Sequence, residues 1–365
     1  MLKIRGQKNK IIFLLTTLVI IFGSVYNLSG VEIERDHSEK QSQKMRRVSS
    51  PVLEKISSRV EELGPINSFQ VSYRGRKIIE DYHRGISSRT PVNVKSVSKS
   101  ILSGLTGIAL EEGIIEELDR PAADILPELF STVDNRQKKD ITLRHLLLMR
   151  SGLRSTSAES YGRWVSSANW KKSALQQPLE EKPGTNTSYS TGDSHLLAAA
   201  LQRELGGQDL LNYARRRLFQ PLGEEIFGWQ RSPEGIRFGG NNLSIYPPAL
   251  MKIGEMYLNG GRYNGRQIIP RWWVEKSFRP LVDDTKNGFS YGYYWWVGDF
   301  GGREVKFAWG HAGQFIFIVP SEELVVAFTA ERDLPGVDYT ELNDRIFDFM
   351  DNKLIPLFSN RLVEK

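Results

Sequence analysis

The sequence predicts an α+β fold: one antiparallel sheet flanked by helices, with a mostly helical insertion between its early and late strands. Three observations carry that expectation. Strand-like runs stand at both ends of the body, Ser68–Tyr73 and Lys77–Tyr82 early and four between Tyr291 and Thr329 late. Between them, from about 118 to 280, apolar residues recur at helical spacing among many turn residues. The 365 residues are 40% hydrophobic, 25% charged and 10% aromatic, the balance of a globular chain with a substantial core.

In chain order, residues 1–30 read as a targeting segment. Lys3, Arg5, Lys8 and Lys10 precede an apolar run from Ile11 to Phe22 that continues weakly to Leu28. Positive residues before such a run mark a secretory signal or a signal-anchor. Tyr26 and Leu28 stand where a cleavage site wants small residues, so a cleaved and an anchored form both stay open. Residues 31–50 are charged and polar with no apolar period, and read as a linker. Residues 51–365 form the expected folded body, placed outside the cytoplasm. Its membrane contact is through residues 11–28 if they are retained.

The net charge of +6 is carried by this leader and linker. Nine of the 49 Lys and Arg, but only four of the 43 Asp and Glu, lie at or before Arg47. The body is therefore nearly neutral. A protein that grips phosphates keeps its basic stripe on the folded domain, so nucleic acid is not an expected partner. With no cysteine, disulfides, thiolate metal sites and cysteine nucleophiles are excluded. Only five histidines remain, and no metal site is expected.

Pro51–Leu63 carries Val52, Ile56 and Val60 at helical spacing. The two early strands follow, joined through Arg74-Gly75-Arg76 as a hairpin. Val97–Glu112 reads as an apolar helix stopped by Gly113, with Gly104, Gly107 and Ala109 leaving room for close neighbours. Ile141–Met149 with Thr142 as cap, Ser194–Leu205 and Asp209–Leu218 read as helices of the insertion. Tyr291–Val297, Glu304–Ala308, Phe315–Val319 and Leu324–Thr329 read as the late strands, and Asp338–Leu357 as a closing helix.

Three short motifs stand out in order. Ser96-Val97-Ser98-Lys99 opens the buried helix, and three residues is just under a turn, so Ser96 and Lys99 share a face. A helix start also offers backbone N–H groups to a developing negative charge. Tyr189-Ser190-Thr191 follows Pro183-Gly184 and precedes a helix, and His311-Ala312-Gly313-Gln314 leads into the strand from Phe315. Each alone also suits a bland role: a capping serine, a packed tyrosine, a turn histidine.

Together, in this order and context, they resemble the serine β-lactamase and penicillin-binding-protein superfamily. Within it the resemblance is to the class C-like branch of esterases, D-aminopeptidases, D,D-carboxypeptidases and 6-aminohexanoate-dimer hydrolases. Ile141-Thr142-Leu143, Ser151-Gly152-Leu153, Pro183-Gly184-Thr185, Ser194-His195-Leu196-Leu197 and Asn259-Gly260-Gly261 agree with that branch. The resemblance implies an acyl-enzyme hydrolase of a small ester, amide or peptide, with no metal and no organic cofactor. It makes Ser96 the nucleophile and Lys99 and Tyr189 the proton carriers, their order left open. The backbone N–H groups of Ser96 and Gln314 become the oxyanion hole, and His311, Gly313 and Thr191 the substrate-binding positions. The alternative within the resemblance is a penicillin-recognising D,D-peptidase or a β-lactam sensor that turns over slowly. A catalytically silent scaffold is a further class.

Two departures bear on substrate. The class C pattern has Asn where this chain has Thr191, and Lys-Thr-Gly where it has His311-Ala312-Gly313. A largely neutral imidazole replaces a permanent cation, which weakens the case for β-lactams and for carboxylate-bearing peptide ends. His83, His145 and His195 read as structural. Trp295, Trp296 and Trp309, with Tyr291, Tyr293 and Tyr294, read either as core or as walls of an acyl pocket.

Overall fold

A computed structural model describes residues 50–359 apart from 132, 284 and 286. The expected leader and linker lie outside these residues. No helix among the described residues is long and apolar enough to cross a membrane.

Helix α1 (Ser50–Leu63) leads into strands β1 (Ile66–Tyr73) and β2 (Arg76–Tyr82), which pair antiparallel with Tyr73 opposite Arg76. Late in the chain come β6 (Ser290–Tyr291), β7 (Trp296–Phe300), β8 (Arg303–Gly310), β9 (Gln314–Val319) and β10 (Leu324–Ala330). All seven form one antiparallel sheet in the order β2-β1-β10-β9-β8-β7-β6, so the first hairpin is zipped to the last strand, with Val71 opposite Val326. That topology leaves everything between β2 and β6 as an insertion.

The sheet is covered on both faces, which is why β9 and β10 read as unbroken apolar runs rather than alternating ones. On β9, Phe315 and Phe317 meet the ring of Phe347 at 5.3 and 6.2 Å, on the closing helix α6 (Tyr339–Phe349). Ile316 between them faces Gly254 of helix α5 (Pro247–Leu258) on the other side.

The apolar helix at the motif is α2 (Val97–Glu111), buried along its length from Val97 to Ala109. Its small residues do what their spacing suggests. A Cβ at Gly107 would sit 2.3 Å from the ring of Trp273, so the indole lies directly on the helix backbone. Further along, α3 (Leu143–Leu147) is capped by Thr142 and His145 in a reciprocal pair, and α4 (Thr191–Glu204) is buried from Thr191 to Leu201.

Three differences from the expected elements have local causes. The insertion also holds a small sheet of β3 (Val92–Asn93), β5 (Leu243–Ile245) and β4 (Ile226–Trp229). Its strands are too short to show a period. The run Tyr291–Val297 is not one strand but two, because Tyr294 adopts φ +60° and reverses the chain between β6 and β7. The segments Asp209–Leu218 and Asp338–Leu357 each begin with an aspartate cap and then widen into a π-helical turn, at Arg215–Phe219 and Met350–Leu354.

Candidate active site

Ser96 directly precedes α2 at the N-cap position, but it does not cap. Its backbone is already helical, at φ −72° and ψ −6°, and its side chain makes no capping bond. The preceding residue, Lys95, takes the left-handed φ of +48°, and Asn93 Oδ1 accepts its N–H at 2.9 Å. This tight bend turns the Ser96 hydroxyl away from the helix N–H groups and leaves it for other partners. Lys99 Nζ donates to Ser96 Oγ at 3.1 Å, and Tyr189 lines the same cavity close enough for Ser96 to influence its hydroxyl. The three residues singled out by the motifs therefore come together at one place, with Lys99 Nζ between Ser96 Oγ and the Tyr189 ring.

Lys99 is 1% exposed. It donates to the carbonyl of Gly240 at 2.8 Å and to Thr191 Oγ1 at 3.4 Å, and its Nζ sits 4.9 Å from the centre of the Tyr189 ring. Burial holds its ammonium down to about 7, with the charge of Asp193 pulling the other way. The same burial pushes Tyr189 up to about 12, against the opposing hydrogen bond from Ser96. Near pH 7 an amine that is neutral in a sizeable fraction of molecules and a protonated phenol thus flank the serine.

A cavity of about 740 Å³ opens over Ser96. One wall is aromatic: Tyr189 stacks on Trp296 at 5.8 Å, Trp296 meets Tyr291 at 4.5 Å and Trp309 at 5.8 Å. The polar part of the lining carries Arg154, Ser155, Ser157 and Glu180, with Arg154 and Glu180 paired at 2.6 Å. His311 and Asn343 also line the cavity, and Gly310, just before His311, packs on Val94 and Lys95, next to Ser96. Trp295, Tyr293 and Tyr294, by contrast, are core residues.

The expected substrate positions divide. His311 lines the cavity and is exposed, with its ring 5.4 Å from that of Tyr339. Desolvation and the nearby Lys95 charge hold it below the ordinary histidine value, Asp333 opposing. Thr191 is 4% exposed and turned inward, its Oγ1 joining Lys99 to Ser157 Oγ at 2.9 Å. A Cβ on Gly313 would meet Ala330, Leu342 and Ile346, so that residue faces the core helix α6 rather than the cavity. Gln314 is buried, and its side-chain amide is committed to the carbonyls of Ala312 and Ala330 at 2.8 and 2.9 Å. Whatever it offers a substrate comes from its backbone. His145 serves the cap of α3, His83 pairs with Glu61, and His195 packs among Trp164, Trp170 and Phe238 beside Glu234. Among the described residues no group of three or more His, Asp and Glu is arranged to hold a metal ion.

Two site residues escaped the motif reading. Gly240 must lack a side chain, since a Cβ there would lie 2.8 Å from Lys99 Nζ and 2.2 Å from Ser194 Oγ. Asp193 is a buried carboxylate four residues after Tyr189. Its signal was present, an acidic residue heading a run as apolar as Leu196–Leu201.

The family model described as Beta-lactamase matches residues 68–350. The chain belongs to that family. The match spans the sheet from β1 through α6 and includes every residue of the site. Among known relatives of this β-lactamase-family chain, an uncharacterized protein of Alkalihalophilus pseudofirmus is 23% identical over 284 residues, 73% of this chain and 82% of its own. Two solved structures share the fold. A Bacillus anthracis protein assigned as a 6-aminohexanoate-dimer hydrolase superposes with a TM-score of 0.68 at 20% identity, covering 80% of this chain and 81% of its own. A D-stereospecific amidohydrolase from Streptomyces sp. superposes with a TM-score of 0.65 at 14% identity, covering 84% of this chain and all of its own.

Proposed function

We propose that this chain is a serine hydrolase that cleaves small esters or amides through an acyl-enzyme on Ser96. The observation that carries the reading is the hydrogen bond of Lys99 Nζ to Ser96 Oγ, with Tyr189 beside both, at a cavity large enough for a small molecule. A serine hydroxyl becomes a competent nucleophile when a neighbouring base takes its proton. Lys99, held near 7, is the group that is neutral in a useful fraction of molecules; Tyr189 is not ionised in that range. Lys99 therefore accepts the proton as Ser96 Oγ bonds to the carbonyl carbon, and Tyr189 protonates the leaving group. In the second half a water takes the place of the leaving group, the proton transfers run in reverse, and Ser96 is released. The developing oxyanion faces the backbone N–H groups of Ser96 and Gln314, at the start of α2 and of β9.

His311 on the cavity lining favours uncharged substrates, because an imidazole held below its ordinary value carries little charge at neutral pH. The relatives described as acting on an aminohexanoate dimer and on D-configured amides are compatible with an amide substrate. The test uses the full-length protein. It should be labelled by a fluorophosphonate on the peptide containing Ser96, and should hydrolyse p-nitrophenyl butyrate with a higher kcat/KM than nitrocefin. Ser96→Ala should abolish both. An alanine variant that keeps wild-type turnover overturns the assignment. Preference for nitrocefin would replace the esterase or amidase reading with a true β-lactamase, and a single burst without turnover would favour the sensor.

We also propose that the body is exported, on the strength of the cations before Ile11 and the apolar run behind them. Protease added to intact cells should reach it. A body protected until lysis ends that reading, and a mature N-terminus near Gly30 decides for cleavage over anchoring.

A further inference from the structure

Helix α4 begins without a cap of its own: Ser190 holds the cap position, and its side chain makes no capping bond. The first N–H groups of the helix are taken instead by a loop 34 to 36 residues earlier in the chain. Thr191 N–H donates to Ser157 Oγ at 2.9 Å, and Gly192 N–H donates to Thr156 Oγ1 at 2.7 Å. In the same run Ser155 Oγ donates to the Tyr189 carbonyl at 2.6 Å. The need to satisfy orphaned helix donors accounts for these contacts. Ser157 makes one more that capping does not require. Its Oγ lies 2.9 Å from Thr191 Oγ1, which is itself 3.4 Å from Lys99 Nζ.

Donors and acceptors along this chain of contacts give it a direction. A neutral amine has two N–H groups and one lone pair, and Lys99 Nζ has three oxygens in reach: Ser96 Oγ, Thr191 Oγ1 and the Gly240 carbonyl. The carbonyl can only accept, so it takes one N–H. The two hydroxyls then compete for the lone pair. If the Thr191 proton fills it, the amine donates to Ser96 and cannot take the Ser96 proton. Thr191 is 4% exposed, and among the described residues its hydroxyl bonds only to Ser157 Oγ and Lys99 Nζ. Ser157 lines the cavity, so its own proton can be donated there. With Thr191 donating to Ser157, the second Lys99 N–H pairs with Thr191 and the lone pair is left to Ser96. Every group in the chain is then satisfied.

We propose that Ser157 is a positioning residue for the base: by accepting the Thr191 hydroxyl proton, it turns the lone pair of Lys99 toward Ser96. Ser157 acts on Lys99 through Thr191, with which it shares both the N–H and the hydroxyl contact. A serine that only capped α4 would need the first of these and not the second. The proposal rests on the reading of Lys99 as base.

The test is kcat/KM on p-nitrophenyl butyrate for full-length protein, read beside the melting temperature. Ser157→Ala leaves the Thr191 proton no acceptor but Lys99, and should lower kcat/KM about tenfold, the scale of one hydrogen bond. Thr191→Val keeps the shape of the side chain and removes the competing proton. It leaves one N–H of Lys99 unpaired and should cost about threefold. The double variant should show the same loss of about threefold, and so be faster than Ser157→Ala. Both variants that lack Ser157 lose the same acceptor for the Thr191 N–H, so their melting temperatures should fall alike. A merely structural serine would leave their activities alike as well. Unchanged turnover in Ser157→Ala, or a double variant no faster than it, overturns the proposal. If Ser157→Ala does not fold, Thr191→Val decides: a loss of about tenfold or more overturns the proposal, and a smaller one supports it. Lys99→Ala in the same assay separates the two readings. If it keeps wild-type turnover, the base itself is misassigned; if it is dead while Ser157→Ala is unchanged, only the role of Ser157 fails.

Discussion

The two ends of the cavity are built differently. At the inner end, Lys99 is fully enclosed, and its three hydrogen bonds come from α2, from the start of α4 and from the Gly240 loop. At the outer end, His311 is exposed, touches the ring of Tyr339 and borders open volume. The inner end is over-determined: several elements fix one nitrogen, and little can change there without loss. The outer end is permissive, and changing it should redirect the enzyme rather than stop it. On the proposed function, chemistry is fixed at one end and choice of substrate is left to the other.

The comparison is broken most directly at the inner end. Lys99→Ala and Tyr189→Phe should each lower turnover by about a hundredfold or more, the usual scale for losing a general acid or base. If they act as one unit on Ser96, as proposed, the double variant should lose less than the product of the two. Strict multiplicativity in steady-state kcat would mean that they serve separate steps at separate places, and the inner end would not be a unit.

At the outer end the same kind of change should shift preference. His311→Lys restores a permanent cation beside the cavity, and a charge-assisted hydrogen bond to a carboxylate is worth roughly 1.5–3 kcal/mol. The ratio of nitrocefin to p-nitrophenyl butyrate kcat/KM should therefore rise roughly ten- to a hundredfold, with ester turnover nearly unchanged. A variant that instead loses ester turnover would show that His311 belongs to the fixed end.

This difference also decided what could be seen in the amino-acid sequence. Ser96, Lys99 and Tyr189 were legible because the chemistry demands those residue types, and because helix starts place them at recognisable spacings. The sheet was legible from the apolar runs of β9 and β10. Gly240 was not, since it is 141 residues from Lys99 and a lone glycine pair after Phe238 looks like any turn. Thr191 and Gly313 were placed by analogy with substrate contacts, yet one side chain is turned toward Lys99 and the other position faces α6. Direction, unlike spacing, is set by tertiary packing. The aromatic run around Tyr294 has strand propensity throughout, and its reversal is set by one residue at positive φ.

Gly240 sharpens the inner end further. An added methyl 2.8 Å from Nζ must displace either the amine or the loop carbonyl that accepts from it. Gly240→Ala should lower kcat by about tenfold with KM for p-nitrophenyl butyrate little changed, because misplacing a base removes an interaction made in the transition state. Equal loss in thermal stability and none in kcat would assign the glycine to packing alone.

The smallest effect concerns the aromatic wall, where the outer end should grade its substrates. Trp296 and Trp309 stand 5.8 Å apart, with Trp309 backed by Phe315 at 5.9 Å and by Phe347 at 5.1 Å. A wall this firmly backed presents a fixed apolar surface to an acyl chain. Each methylene buried against it is worth about 0.8 kcal/mol, or about fourfold in kcat/KM. Along the series from acetate to hexanoate esters, kcat/KM should climb by about that factor per carbon until the chain outgrows the cavity. Trp309→Ala removes part of the surface and should cut the gain to about twofold per carbon. The change should fall on KM, since an inert methylene binds equally in ground and transition states. A slope that is unchanged in the variant would place the acyl group on the Ser155–Ser157 wall instead, and the permissive end would then select by hydrogen bonding rather than by apolar contact.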